Sequence, residues 1–211
     1  MNRFAYVLAA AAIALGHAGH AVAADGDNAE ADRLLGVLPN YTTVNTPFAP
    51  TETTREAFKI ASLGSFDPVI YPFIGLTTAV GQGASDRSYT ARYGTAFADH
   101  TIGNFMTTAV LPSLTREDSR YFRRGEGGVF KRLAYAASRS VVTRTRAGAA
   151  TFNISKIAGT AVAAGLSNIY YSPADRTVGA TATRWASQLM WGTVANELKE
   201  FWPDIRAKLR R

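Results

Sequence analysis

"SYTARYGTAFADHTIGNFMTTAVL" (Ser88–Leu111) decides the fold class. Tyr89, Tyr93, Phe97, Thr101 and Phe105 recur every four residues, so they fall as a ridge on one face of an α-helix. A transmembrane β-barrel would instead need apolar/polar alternation over ~10-residue segments, repeated evenly. The apolar runs of this chain are long and alanine-rich, and their spacing is three or four. The pattern predicts an all-α protein and argues against a barrel. Pro112 is expected to end or kink this longest helix.

The flanking segments extend the reading. Thr53 and Glu56 form a capping box ahead of a helix from about Thr54 to Gly64. A second helix is expected from about Val69 to Val80. Thr115 and Asp118 make another capping box, predicted to open a short helix through "REDSRYF", with "RRGEGG" as a turn. Val129–Thr143 reads as a helix and "RTRAGAATFN" as a loop. Ser155–Tyr171 reads as a further helix. Ser172-Pro173 then starts a last one to about Phe201, with Pro203 interrupting it. "GVLPNYTTVNTPFAPTETT" carries too much proline, threonine and asparagine for a regular helix, and reads as an extended arm laid over the body. The expected layout is a leader at 1–24, an arm at 25–53, one bundle of five or six helices at 54–205, and a basic tail at 206–211.

"IAGTAVAAGLSNIYY" places Gly159, Ala163 and Gly165 where small side chains let a neighbouring backbone approach closely. A tightly packed bundle in water and moderately apolar helices in a membrane both use such contacts. Neither "PVIYPFIGLTTAVGQGAS" nor "IAGTAVAAGLSNIYYSPA" has the leucine-rich character of an ordinary span.

The N-terminus reads as a secretory signal peptide. Asn2-Arg3 is a short basic start, Phe4–Ala24 is uncharged and alanine-rich, and Ala21-Val22-Ala23 is a small-x-small cleavage site. The chain has 23 basic and 16 acidic residues. Only Arg3 among the cations falls in the leader, so the exported chain stays basic. That balance suits anionic lipid headgroups or an envelope protein partner. An exported chain without a basic run interleaved with aromatics is a poor nucleic-acid binder. Trp202 with Arg206, Arg210 and Arg211 forms a candidate membrane-interface cluster. Cysteine is absent, and His17 and His20 leave with the leader. His100 alone remains, which excludes zinc sites built from several histidines or thiolates. No motif implies a metal or other cofactor, and nothing specifies an oligomer.

Asp99 and His100 are the one acid–imidazole pair. Neighbours on a helix point about 100° apart, so Asp99 does not orient His100. A serine-based system needs a nucleophile on the other ring nitrogen, and no G-x-S-x-G elbow occurs. The expected role is structural: Asp99 as a buried carboxylate paired with Arg92, Arg139 or Arg184. The alternative is an envelope hydrolase or lipid-acting enzyme using Asp99 and His100.

At "LPNYTTVNTPFAP", "IGNFMTTAVLPSL", "DSRYFRRGEGG", "SRSVVTRT", "GLSNIYYSPADRT" and "KEFWPDI" the chain resembles a family of uncharacterised exported bacterial proteins, over about Asp32–Ile205. That resemblance implies export and a Gly/Ala-rich helical fold, with no assigned activity. "FNISKIAGTAVAAG" is similar to a stretch of small helical, membrane-associated envelope proteins, over about fourteen residues, and carries over no site. The function expected from sequence is a non-enzymatic structural or membrane-associated envelope protein, periplasmic or at the outer membrane. Mass spectrometry of the exported form should find a new N-terminus at Ala24 or Asp25; a retained Met1 would contradict the leader assignment.

Overall fold

The computed structural model describes residues 33–34, 39–46, 49–80 and 87–209. The leader and the ends of the tail, Arg210 and Arg211, lie outside the described residues. The first helix, α1 (Thr54–Phe66), starts at its sequence-predicted cap. Thr53 Oγ1 accepts from the Glu56 N–H, and Glu56 accepts from the Thr53 N–H at 2.8 Å. Two helix-end donors are thereby satisfied. Asp67 separates α1 from α2 (Ile70–Val80). Its carboxylate accepts from the Val69 N–H, from Arg33 at 2.9 Å and from the Tyr41 hydroxyl at 2.7 Å. The described part of the arm therefore does lie over the body.

α3 (Tyr89–Phe105) is capped by Ser88 and carries the tyrosine–phenylalanine ridge. The regular helix ends at Phe105, shortly before Pro112, where the sequence expectation placed an end or a kink. A π turn, Met106–Val110, leads directly into a last helical turn, Leu111–Thr115. The Leu111 N–H bonds back to the Met106 carbonyl, five residues earlier. This wider turn makes room ahead of proline, whose ring otherwise clashes with the carbonyl four residues back.

The short helix expected over "REDSRYF" is absent. Arg116 takes a left-handed conformation (φ 58) and ends the rod. Glu117–Asp118 (β2) and Tyr121–Phe122 (β3) follow as short strands. The arm's β1 (Thr43–Val44) pairs parallel with β3, Thr43 opposite Tyr121. α4 spans Val129–Ser138, shorter than expected, and the supposed loop after it is a hairpin. β4 (Val142–Thr145) pairs antiparallel with β5 (Ala150–Phe152) and, on its other edge, with β2. Val142, Thr143 and Thr145 are β-branched and suit the pleat. Gly148, at φ +88, makes the turn.

α5 (Ile154–Ser167) and α6 (Val178–Leu209) complete six helices. α6 runs through Pro203 instead of stopping before it. Buried Trp202 anchors that stretch, and Arg132 donates to the Glu200 carbonyl at 2.6 Å. α5 packs between the α3 rod and α6, and α1 packs on the other side of the rod.

The α5 contact is as close as its glycine implies. A Cβ on Gly159 would stand 3.1 Å from the Met106 carbonyl oxygen and 3.1 Å from Thr107 Cγ2. Ala163 is buried on the same face, with Thr160, Ala164 and Ser167. Gly165 does not belong to it: the residue is exposed, and a Cβ there would meet nothing within 4 Å. The turn of the helix carries position 165 away from the face set by 159 and 163. Gly159→Ala should therefore destabilise the protein despite its helix propensity, and Gly159→Leu should cost ~3 kcal/mol or more through overpacking. Gly165→Ala should gain ~0.5–1 kcal/mol. Urea unfolding of the three variants checks the order.

Candidate functional site

Asp99 and His100 bind separate partners. Asp99 accepts from the Tyr170 and Tyr171 hydroxyls at 2.7 and 2.6 Å. His100 Nε2 lies 3.3 Å from the Gly64 carbonyl oxygen, a contact to α1. Burial pushes the imidazole pKa down, against the smaller upward pull of that carbonyl. The ring therefore stays neutral and donates to the Gly64 carbonyl. Among the described residues, none of Arg92, Arg139 and Arg184 forms the expected ion pair with Asp99. Arg92 donates to the Arg87 carbonyl, and Arg139 stacks on Tyr135. Arg184 covers the Tyr171 ring at 4.3 Å, one layer behind the carboxylate. Burial and the Asp99 carboxylate together push both phenol pKa values up, so two neutral donors take the place of a guanidinium.

Trp202 also departs from its sequence assignment. It is only 3% exposed, so it belongs to the core and not to a membrane interface.

The segment Glu117–Gly125 is held by three glutamates that are themselves almost wholly buried. Glu52 (1% exposed) accepts from the Ser119 N–H and hydroxyl at 2.9 and 2.8 Å. Burial pushes its pKa up against the pull of Ser119. Glu117 accepts from the Ile154 and Ser155 N–H groups at 3.1 and 2.8 Å. It thus caps α5 with a negative charge where the helix dipole favours one. Glu200, with no exposed surface, accepts from Tyr121, Arg132, and the N–H groups of Arg124 and Gly125, at 2.7–3.0 Å. Arg132 also reaches Asp204 at 2.6 Å.

This scaffold surrounds a half-open cavity of about 190 Å³ between the α3 rod, the two small sheets, α5 and α6. Asn153 caps α5 and, with Ser155, lines its floor. Arg139 and Arg144 line the side, each stacked on a ring, Tyr135 at 4.6 Å and Phe122 at 4.5 Å. Arg120 lies there too, bound to Asp118 at 2.7 Å, and that aspartate is the one carboxylate in the lining. Lys156 of α5 and Lys199 of α6 complete the wall. Lys199 Nζ donates to Thr42 Oγ1 at 2.6 Å. Lys156 lies over Gly192, where a Cβ would be 2.4 Å from Nζ. Burial, with help from the Lys156 charge, pushes the Lys199 ammonium down to about 8. Burial lowers Lys156 as well.

Sequence reasoning missed this cavity. Its one local signal is that Lys156 is the only charge in α5. No protein-family model, curated protein or solved structure matches this chain.

The Glu200 cluster fixes a pH dependence. Burial alone would raise its pKa, but Arg132, Tyr121 and the two N–H groups outweigh burial and hold it below the usual carboxylate range. A folded-state pKa below the unfolded value, about 4.3 for Glu, gives stability that is present above that value. It is lost as pH falls through the folded pKa. Glu200→Gln should cost ~3 kcal/mol at neutral pH, because Arg132 loses a buried partner. The variant should also show a shallower loss of stability as pH falls below the unfolded carboxylate value of about 4.3. Denaturant unfolding across that range measures both.

Proposed function

We propose that the chain is an exported cell-envelope protein that works by binding and sits against a lipid surface through the aromatic face of α1, α2 and α3. One observation carries this reading: rings lie outward in a continuous chain while glutamates lie inside. Phe58 contacts Phe105, Phe105 contacts Phe66, Phe66 contacts Phe97, and Phe97 stacks on Tyr71 at 5.4 Å. Phe66 is 50% exposed, and Phe58, Leu63, Tyr71, Val80 and Tyr89 are exposed on the same helices. α2 carries no charge at all. A contiguous exposed apolar patch of this kind marks an interaction surface. Tyrosines beside it, with hydroxyls bonded to backbone carbonyls (Tyr89 to Gly75, Tyr93 to Tyr71), have the amphipathic build that suits a headgroup layer.

Among the described residues no single helix is long and apolar enough to cross a membrane, whereas α1 and α2 qualify together but are bent by 54°. That bend favours a pair lying in the interface over a straight span. The positive balance of the chain adds attraction to anionic headgroups. Export rests on the leader sequence and on the resemblance described above. The hydrolase alternative loses its basis, because Asp99 and His100 bind separate structural partners.

Flotation with vesicles of phosphatidylethanolamine and phosphatidylglycerol tests the reading. The mature protein should float with the vesicles and stay bound through a high-salt wash. The double variant Phe58→Glu, Phe66→Glu should remain below them with an unchanged circular dichroism spectrum. A mature protein that never floats would refute the lipid assignment.

A further inference from the structure

The cavity between α5, α6 and the small sheets has a charge problem that its own residues do not solve. Five cations line it: Arg120, Arg139, Arg144, Lys156 and Lys199. The single carboxylate, Asp118, is already bound by Arg120 through its backbone N–H, Nε and Nη2. Among the described residues, the other four cations form no ion pair. Two of them are lysines close enough for the Lys156 charge to bear on Lys199. Like charges brought together in a half-buried pocket without a counter-charge cost free energy.

The surroundings show that the lysines are held there. Lys156 and Lys199 come from different helices and converge on one space. Gly192 leaves room for the Lys156 side chain, and Thr42, brought in by the arm, fixes Lys199. Stacking on Tyr135 and Phe122 holds the Arg139 and Arg144 guanidiniums at the wall, and Arg139 also donates to Ser138 Oγ. The remaining lining is polar: Asn196 adds an amide, while Asn104, Asn153 and Thr143 donate to protein partners and stiffen the wall. A volume of about 190 Å³ is too large for a single water, whose share of the liquid is about 30 Å³. It matches an anion of a few heavy atoms.

We propose that this cavity binds a phosphate group, free or carried by a small polyhydroxylated compound, held between Lys156 and Lys199. Lysine meets phosphate as a compact point charge, and a dianion engages both ammoniums at once. A lone carboxylate balances only one of them. Arg139 and Arg144 take the outer oxygens, and the Asn196 amide faces a hydroxyl group of an attached polyol. The lipid-facing reading is independent of this site, since the aromatic face and the cavity share no residue.

Titration calorimetry of the purified mature chain with inorganic phosphate, glycerol 3-phosphate and acetate tests the assignment. Phosphate and glycerol 3-phosphate should bind, and acetate should bind at least tenfold more weakly. Tighter binding of glycerol 3-phosphate identifies a phosphorylated polyol as the ligand class, and equal binding identifies free phosphate. Lys156→Met and Lys199→Met should each weaken phosphate binding tenfold or more. Their melting temperatures should stay level or rise, because each removes an uncompensated charge. A merely structural lysine would give the opposite pair of results, a lower melting temperature with binding retained. Absence of binding by both phosphate compounds, or equal binding of acetate, would overturn the proposal.

Discussion

Glu200 has no exposed surface, yet its surroundings favour the charged form. One carboxylate collects a phenol, a guanidinium and two backbone N–H groups from three separate stretches of chain. Two of the three donor segments, the turn and the short strand, lack an apolar face of their own, whereas Arg132 comes from the amphipathic α4. The "RRGEGG" turn has no side chain to bury, and Tyr121 sits on a two-residue strand. A strand that short does not persist alone. The carboxylate replaces the missing hydrophobic anchorage with directed hydrogen bonds, which are strong where water is excluded. Remove it, and α4, the turn and the end of α6 lose their common point.

The same device recurs with Glu117 on the first turn of α5 and Glu52 on Ser119. The interior thus relies on polar joints wherever the chain is irregular. Where it is helical, it relies on close approach. Gly159 against the Met106 carbonyl brings α5 onto the π turn of the rod. The π turn and the glycine are therefore matched features. The extra residue in the turn accommodates Pro112, and the missing side chain on the neighbour lets the rod come in. Large apolar groups are then surplus to the core, and many lie outward, Phe130 and Val178 each at 87% exposed.

The helices were legible because their signals are local. The Thr53–Glu56 box, the every-fourth-residue ridge of α3 and the small residues at 159 and 163 each report on neighbours within a turn or two. The strands were not legible for the same reason. "REDSRYF" has the spacing of a capping box, but Glu117 and Asp118 are engaged by α5 and by Arg120. A tertiary hydrogen bond outcompetes a local cap once the acid is buried. The hairpin was hidden by its length, since four residues of alternation in "VTRT" hardly differ from a loop. Asp99 shows a subtler failure. It was expected to be buried against an arginine, whereas it is half-buried and bonded to two tyrosines, which sequence spacing does not point to. The cavity could not be read at all, as Lys156 and Lys199 meet only through the packing of α5 on α6.

That packing has a consequence for the charge of the whole molecule. An excess of seven positive charges reads, in a sequence, as a solvated basic surface. Part of the excess lies inside. The carboxylates nearest the cavity are already engaged: Glu117 holds backbone N–H groups, Glu200 holds Arg132, and Asp118 holds Arg120. None is left to neutralise Lys156 or Lys199. A half-buried ammonium in that position relieves its cost in one of two ways. It gives up a proton, and Lys199 is pushed toward doing so. Otherwise it takes a counter-anion from solution. Proton loss needs only burial; it does not need Gly192 cleared for one lysine, Thr42 bonded to the other, and two stacked guanidiniums facing the same space. Those features shape a place for an anion, and the distribution of carboxylates elsewhere in the fold keeps it open.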